Sequence, residues 1–236
     1  MTTTRSTPPT ALITGGSSGL GLALAQHLDD EDWIVVTDAR DEDRLRTALA
    51  GTAIRGVAGD VSDAEHRAVL IEMIGDLGGL DLLVLNASTL GPLPMRPLRE
   101  YDPLEMGEVF RTNAGAHAAL MTALADELLR RDGVVIGISS DAAVQHYETW
   151  GPYGASKAML DHLVLTFGEE TGLTTYAVDP GDMRTPMQQD AFPGEDISDR
   201  PIPQSVVPRL IALVEQRPER GRYLAADVAI PEVATL

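Results

Sequence analysis

The stretch TGGSSGLG, residues 14–21, decides how the rest of the chain is interpreted. Gly15 and Gly16 allow a tight turn after an apolar, strand-like segment. Gly19 lets a pyrophosphate approach the backbone where a helix begins, because free N–H groups and the helix dipole favour negative charge there. Gly21 lets that helix pack closely against the preceding strand. Glycine-rich turns are common, and this one indicates a dinucleotide site because it opens the first β-α unit of the chain.

Strand-like and helix-like segments alternate along the chain. Continuous apolar strands are typical of a parallel sheet that is covered on both faces, and strand–helix alternation predicts right-handed crossovers. We therefore predict an α/β fold: a Rossmann-like doubly wound parallel sheet of about seven strands with helices on both faces. The predicted strands are 10–15, 33–38, 53–60, 80–87, 133–140, 173–180 and one near Tyr223; the predicted helices are 19–29, 42–50, 63–77, about 104–131, 153–170 and 204–216.

One domain accounts for the whole pattern, because no linker, repeat or low-complexity segment divides it. We predict a flexible N-terminal tail at 1–9 and a single dinucleotide-binding and catalytic domain at 10–236. Residues 182–205 mix Pro, Gly, Met and Phe with charged residues. That composition suits a lid over the substrate and cofactor, and the alternative is a long surface connection.

Composition excludes several classes of function. The 236 residues contain no cysteine, which excludes disulfides, Cys-ligated zinc and thiol catalysis, and the five histidines show no metal-ligand spacing. A net charge of −18 opposes nucleic-acid binding, and any anionic cofactor must be held by backbone amides and a few placed cations. No apolar run approaches the ~18 residues of a membrane span. No secretory signal is recognised, so a cytoplasmic protein is expected.

The stretch YGASKAML, residues 153–160, raises the question of catalysis. Tyr153 and Lys157 are four residues apart, so on a helix they share one face. A nearby ammonium favours the phenolate and lowers the phenol pKa from ~10. A Tyr–Lys pair at this spacing is frequent by chance and gains meaning only from partners elsewhere.

Such partners stand at set positions in the chain. Asn113 lies in TNAGA, on the long predicted helix, and Ser140 lies thirteen residues before Tyr153. Asp60-Val61 follows the third predicted strand, and Pro180-Gly181 with Thr185 follows the sixth. With the glycine turn and Tyr-x-x-Ser-Lys, this pattern resembles the short-chain dehydrogenase/reductase family, in its single-domain non-extended branch. The resemblance covers roughly residues 10–190.

The resemblance implies an NAD(P)(H)-dependent oxidoreductase that interconverts a carbonyl and a secondary alcohol by hydride transfer, working as a reductase. Tyr153 is expected to be the general acid/base and Ser140 to hydrogen-bond the substrate oxygen. Lys157 is expected to tune the phenol and hold the nicotinamide ribose, and Asn113 to order a helix carbonyl and a relay water. The alternative is a catalytically silent dinucleotide-binding sensor or scaffold. The implied cofactor-binding residues are Gly15, Ser17, Ser18, Gly19, Leu20, Gly21, Arg40, Asp60, Val61, Asn86, Ala87, Tyr153, Lys157, Pro180, Gly181, Met183 and Thr185.

One departure from the family pattern lies after the fourth predicted strand. The family's Asn-Asn-Ala-Gly reads Leu85-Asn86-Ala87-Ser88 here. Asn86 and Ala87 are expected to keep the backbone platform, and Ser88 is expected to reshape the floor near the nicotinamide ribose. The sequence gives Ser156 no role.

The end of the second predicted strand decides between NADP and NAD. An Arg there attracts a 2′-phosphate, whereas a carboxylate binds the ribose diol and repels phosphate. VVTDAR offers both Asp38 and Arg40. Counted without gaps from Gly21, Arg40 falls on the position that NADP-preferring members use, so NADP(H) is favoured and NAD(H) is the alternative.

A small-molecule carbonyl or alcohol is the expected partner, and no metal is expected. Candidate substrate-lining residues are Asp141, His146, Tyr147, Trp150 and Met187. The family resemblance also implies a homodimer or homotetramer. It would form through the predicted helices 104–131 and 153–170, where apolar candidates are Met106, Phe110, Leu163 and Phe167.

Overall fold

The computed structural model describes residues 7–230. The predicted N-terminal tail covers 1–9, and its first six residues lie outside the described part. Residues 231–236 of the predicted domain also lie outside it.

A seven-stranded parallel sheet forms the centre of the described chain. Its spatial order is β3-β2-β1-β4-β5-β6-β7. The prediction of a doubly wound parallel sheet of about seven strands is confirmed. The strands are β1 (Thr10–Ile13), β2 (Ile34–Ala39), β3 (Arg55–Ala58), β4 (Leu82–Leu85), β5 (Val134–Ile138), β6 (Thr174–Asp179) and β7 (Gly221–Leu224). Strand order reverses between β1 and β4, and ligands of such folds bind beyond the carboxyl ends of the strands at this reversal.

Helices cover both faces, as predicted. Neighbouring residues of one strand serve opposite faces: Leu12 packs in one core cluster, while Ala11 and Ile13 pack in the other. The second cluster includes side chains of α1 and α9, and the first those of α3, α5, α6 and α7. The helices are α1 (Gly19–Asp30), α2 (Glu42–Ala48), α3 (Ala64–Asp76), α4 (Pro103–Phe110), α5 (Ala116–Ala123), α6 (Ala125–Arg131), α7 (Gly151–Thr171), α8 (Pro186–Ala191) and α9 (Val207–Gln216).

The predicted long helix over about 104–131 is helical along nearly all of its length, but it is not one regular α-helix. A π-helical turn, Arg111–Gly115, separates α4 from α5, and Leu124 separates α5 from α6. A π turn inserts one extra residue into a helix, and such insertions are frequent at functional sites. Here the turn contains Asn113.

The segment 182–205, expected as a loop, contains helix α8 and a 3₁₀ turn at Pro203–Ser205. Thr185 begins α8, because its hydroxyl accepts a hydrogen bond from Gln188 N–H at 3.1 Å and Pro186 occupies the first helical position. Within residues 7–230, no helix has the length and apolarity needed to cross a membrane.

Candidate active site

A cavity of about 770 Å³ lies beyond the carboxyl ends of the strands. It brings together most of the residues that the sequence singled out. Asn113 and Gly21 are the exceptions, and both lie behind its wall. The predicted residues that line it are Gly15, Ser17, Ser18, Gly19, Leu20, Arg40, Asp60, Val61, Asn86, Ala87, Ser140, Tyr153, Lys157, Pro180, Gly181, Met183 and Thr185.

The glycine turn is shaped to receive a pyrophosphate. Gly19 has a φ of +59°, and a Cβ there would come within 3.4 Å of the Thr185 side chain across the cavity. Ser18 precedes α1 without capping it through its side chain, so the first N–H groups of the helix remain available to an anion. These residues fit a dinucleotide.

Gly21 has a packing role. A Cβ on Gly21 would lie 2.5 Å from both Asn86 Nδ2 and the Gly15 carbonyl oxygen. Asn86 donates from Nδ2 to the carbonyls of Thr14 (2.8 Å) and Gly15 (3.2 Å). The Asn86 side chain therefore braces the glycine turn.

Asp38, one of the two candidate selectors of the cofactor, is committed to the protein. Its Oδ1 accepts from Gly15 N–H at 2.8 Å, and its Oδ2 lies 2.9 Å from His66 Nε2. The residue is only 1% exposed. Its two oxygens therefore hold the glycine turn and α3.

Cations and one carboxylate mark the far end of the cavity. Arg40 and Arg44 both line it, and Arg44 is a lining residue that the sequence reasoning missed. Burial opposes ionisation of Asp60, but hydrogen bonds from Ser62 and the charges of Arg40 and Arg111 hold its pKa below the usual value. Asp60 is therefore a carboxylate at neutral pH.

Tyr153 and Lys157 lie on the buried face of α7. The Lys157 Nζ lies 5.5 Å from the centroid of the Tyr153 ring and donates to the Ile138 carbonyl at 2.8 Å. Trp150 packs edge-on against Tyr153, with the ring centroids 5.5 Å apart. Lys157 is 1% exposed and is the only lysine in the chain.

The two pKa values differ from the sequence-based expectation. Burial raises the pKa of Tyr153, while a hydrogen bond with Ser140 opposes that rise. Lys157 was expected to lower the pKa of this phenol. In this structure burial outweighs any such effect. Burial also lowers the pKa of Lys157 to about 8, opposed by the charge of Asp161.

Asn113 joins three segments behind the cavity. Its Oδ1 accepts from Thr89 N–H at 2.8 Å, and its Nδ2 donates to the Thr89 carbonyl at 2.8 Å and to Ser156 Oγ at 2.9 Å. Ser156 in turn donates to the Tyr153 carbonyl at 2.6 Å. Ser156 thereby gains a structural role that the sequence did not reveal.

The carbonyl of Asn113 also has a protein partner. His117 Nδ1 lies 3.0 Å from it, and His117 Nε2 lies 3.3 Å from Thr14 Oγ1. Burial and the charge of Lys157 lower the pKa of His117 to about 3, so the imidazole is neutral. A neutral ring with its proton on Nδ1 donates to the carbonyl and accepts from Thr14.

Ser140 and its neighbours form the next part of the wall. Ser140 Oγ donates to Asp141 Oδ1 at 3.0 Å, and the Ser140 carbonyl accepts from Arg222 at 2.8 Å. Arg222 also binds Asp161 at 3.1 Å and Asp179 at 3.3 Å. Arg222 lies 82 residues from Ser140 in the sequence, and no local pattern indicates this pairing.

The expected substrate-lining residues divide into two groups. Asp141, Trp150 and Met187 line the cavity, whereas His146 and Tyr147 do not. The Tyr147 hydroxyl donates to Asp141 at 2.7 Å from an exposed position. Within the described chain, no group of three or more His, Asp or Glu side chains could hold a metal ion.

Comparison with known proteins agrees with this geometry. The family model for short chain dehydrogenase matches residues 9–196. An uncharacterized oxidoreductase of Saccharomyces cerevisiae is 32% identical over 75% of this chain and 71% of its own length. A benzil reductase, (S)-benzoin forming, of the same yeast is 30% identical over 95% of this chain and 88% of its own length. The crystal structure of a short chain dehydrogenase from Shigella flexneri in complex with NADP is similar, with a TM-score of 0.85 and 26% identity; it covers 92% of this chain and 97% of that chain.

The burial of Lys157 predicts a stability penalty. At neutral pH, Lys157→Met should raise the free energy of unfolding, because it removes an ammonium that burial destabilises. As the pH rises from about 8 to about 10, folded Lys157 loses its proton before the unfolded chain does. The wild type should then recover up to about 3 kcal/mol relative to the variant.

Urea unfolding over this pH range measures the difference, with Arg55→Met as the control for an exposed cation. A Lys157→Met variant that is less stable than the wild type at pH 7 would show that the Ile138 hydrogen bond outweighs the burial of the charge.

Proposed function

Since the chain belongs to the short-chain dehydrogenase/reductase family, we propose that it is an NADP(H)-preferring reductase of an apolar ketone or aldehyde. One observation carries the proposal: Tyr153, Lys157 and Ser140 line one cavity whose other end is a glycine turn at a helix N-terminus. A catalytically silent scaffold needs the turn but not these three side chains.

The nicotinamide cofactor supplies the hydride when it is bound. The Tyr153 hydroxyl gives its proton to the carbonyl oxygen of the substrate, and the Ser140 hydroxyl donates a hydrogen bond to that oxygen. The Lys157 ammonium, one helical turn from Tyr153, stabilises the phenolate that remains and holds the ribose. Its present partner, the Ile138 carbonyl, keeps the ammonium beside the phenol until then. Asn113 acts by holding α7 through Ser156.

The substrate end of the cavity has an apolar wall. Leu90, Ala142 and the Tyr153 ring form a small core cluster with Trp150 and Met187 packed against it. Such a wall favours an apolar, bulky carbonyl compound, and the similarity to a benzil reductase supports the same choice. The segment 182–205 carries Met187 and closes over this end as a lid.

Replacing Tyr153 tests the activity. Tyr153→Phe should lower kcat/KM for the NADPH-dependent reduction of benzil by about 10²–10⁴-fold, because phenylalanine has no hydroxyl proton to give. The readout is loss of NADPH absorbance. Tyr147→Phe is the matched control, since Tyr147 is exposed and outside the cavity wall; it should retain activity. Near wild-type turnover by Tyr153→Phe would contradict the proposal.

The preference for NADP(H) rests on which charges remain free. Both oxygens of Asp38 are committed, to Gly15 N–H and to His66, so Asp38 is poorly placed to bind a ribose diol. Arg40 and Arg44 line the same end of the cavity. Two guanidinium groups there favour a 2′-phosphate over an unmodified ribose.

Arg40→Ala should therefore weaken NADPH binding by about tenfold, as expected for loss of one charged hydrogen bond, and leave NADH binding nearly unchanged. Titration of cofactor fluorescence measures both dissociation constants. Arg46→Ala, on the same helix as Arg44 but outside the cavity wall, is the control. Equal losses for the two cofactors would place Arg40 away from the 2′-phosphate.

We also propose that copies of the chain associate through α4 and α7. Leu104, on α4, is 80% exposed and Met159, on α7, is 39% exposed. Met106, Phe110 and Leu163 are half-buried, whereas Phe167 belongs to the core of the single chain and is not available. Exposed apolar side chains on neighbouring helices are typical of an interface.

Sedimentation should give a mass of two or four times 25.2 kDa, and Leu104→Glu should shift the protein towards the single-chain mass. The matched control is Leu129→Glu, a half-exposed leucine on α6. A single-chain mass for the wild type at micromolar concentration would contradict association.

A further inference from the structure

Ser88 has a buried hydroxyl with no partner in the described protein. Its Oγ is shielded from solvent and makes no hydrogen bond, although the residue lines the active-site cavity. A buried hydroxyl without a hydrogen-bond partner costs free energy. The position after Asn86-Ala87 is one where the family pattern has glycine, which would avoid this cost. The hydroxyl is therefore free to take a hydrogen-bond partner in the working state.

The backbone around Ser88 is fixed on both sides. Ala87 N–H donates to Thr14 Oγ1 at 3.0 Å, and Thr89 N–H donates to Asn113 Oδ1 at 2.8 Å. The Thr89 carbonyl accepts from Asn113 Nδ2 at 2.8 Å. These bonds tie the loop after β4 to β1 and to the π turn. The Ser88 side chain is thus held in place before any substrate enters, which is the condition for a preorganised donor.

Tyr153 is the reacting group on the same part of the cavity wall. Its ring packs with Leu90, two residues after Ser88, and Ser88 and Tyr153 both line the cavity. Burial raises the pKa of Tyr153, and the polar hydroxyls of Ser140 and Ser88 oppose the rise. Ser140 already donates to Asp141 and accepts from Ala142 N–H. Ser88 has no such commitment. Of the two hydroxyls, Ser88 is therefore the one that is free to donate a hydrogen bond when the phenol oxygen becomes charged.

We infer that Ser88 is a further catalytic residue, whose hydroxyl donates a hydrogen bond to the Tyr153 oxygen when that oxygen becomes a phenolate. The O–H bond of Tyr153 breaks, a new O–H bond forms on the product alcohol, and the electron pair stays on the phenolate. Ser88 keeps its own proton throughout. The same bond is present at the start of alcohol oxidation, where the phenolate is the base. This role rests on the proposed function of Tyr153.

The test compares Ser88→Ala with the wild type in the direction of alcohol oxidation, with benzoin and NADP⁺. The rise of kcat/KM with pH reports ionisation of the base in the enzyme. Loss of one hydrogen bond to an anion should move this limb to higher pH by about one unit. Ser88→Thr keeps the hydroxyl and should restore the wild-type profile. Thr47→Ala is the control, because this exposed hydroxyl donates to the Asp43 carbonyl within its own helix and does not line the cavity.

A second readout does not depend on turnover. Near-ultraviolet absorbance of tyrosinate is titrated in the NADP⁺-loaded protein, and the Tyr153→Phe spectrum is subtracted to isolate Tyr153. The same subtraction is made in the Ser88→Ala background. The isolated ionisation should again shift upward by about one unit. If Ser88→Ala folds poorly, Ser88→Gly, the family residue, replaces it.

The outcomes separate this inference from the proposed function. Turnover by the wild type with superimposable pH profiles and titrations for Ser88→Ala would overturn the role of Ser88 and leave the reductase intact. If Ser88→Ala binds NADPH more weakly and its titrations do not shift, Ser88 is a cofactor contact, and the inferred role is also overturned. Absence of turnover in the wild type would count against the proposed function, while the spectral titration would still decide the hydrogen bond.

Discussion

The Asn113 side chain makes the hydrogen bonds on which the active site depends. One amide group fixes the loop after β4 through Thr89 and fixes α7 through Ser156. α7 carries Tyr153 and Lys157, and the loop carries Ser88. A regular helix over 104–131 would not contain the π turn in which Asn113 sits, so the extra residue in this turn and the geometry of the site are linked. The irregular part of the helix therefore lies where the π turn, the loop after β4 and α7 meet.

The one lysine of this protein differs from its other charged residues in position and in role. The chain has a net charge of −18 and a single lysine, and that lysine is buried in the active site. Its other basic residues are arginines and histidines, and the arginine guanidinium groups stay charged at neutral pH. Lys157 alone combines burial with a pKa near 8, and it can exchange protons close to neutral pH. Because the net negative charge of the molecule repels an anionic cofactor, the attraction has to come from backbone N–H groups and from the two arginines at the end of the cavity.

Sequence reasoning recovered the features that local patterns encode. Apolar runs located the five central strands β1, β2, β4, β5 and β6, because a buried parallel strand is apolar on both faces. The glycine turn located the binding edge of the sheet. The π turn was missed, since the apolar spacing around Asn113 fits a regular helix equally well. Long-range pairs were also missed. Asp38 with His66 and Arg222 with Ser140 are separated by 28 and 82 residues, and nothing in the composition of either segment indicates its partner.

Ser88 stands where the family pattern has glycine, and this difference adds one hydroxyl to the wall of the cavity. From the sequence it predicted a reshaped floor beside the nicotinamide ribose. The structure instead relates it to the phenol, because the only polar atom that serine adds is buried and unpaired in the cavity wall that Tyr153 also lines. The folded protein gains no hydrogen bond from this atom. A hydroxyl that is unsatisfied in the resting protein and satisfied by a phenolate lowers the energy of the charged state more than that of the neutral state, and differential stabilisation of this kind is what accelerates a proton transfer.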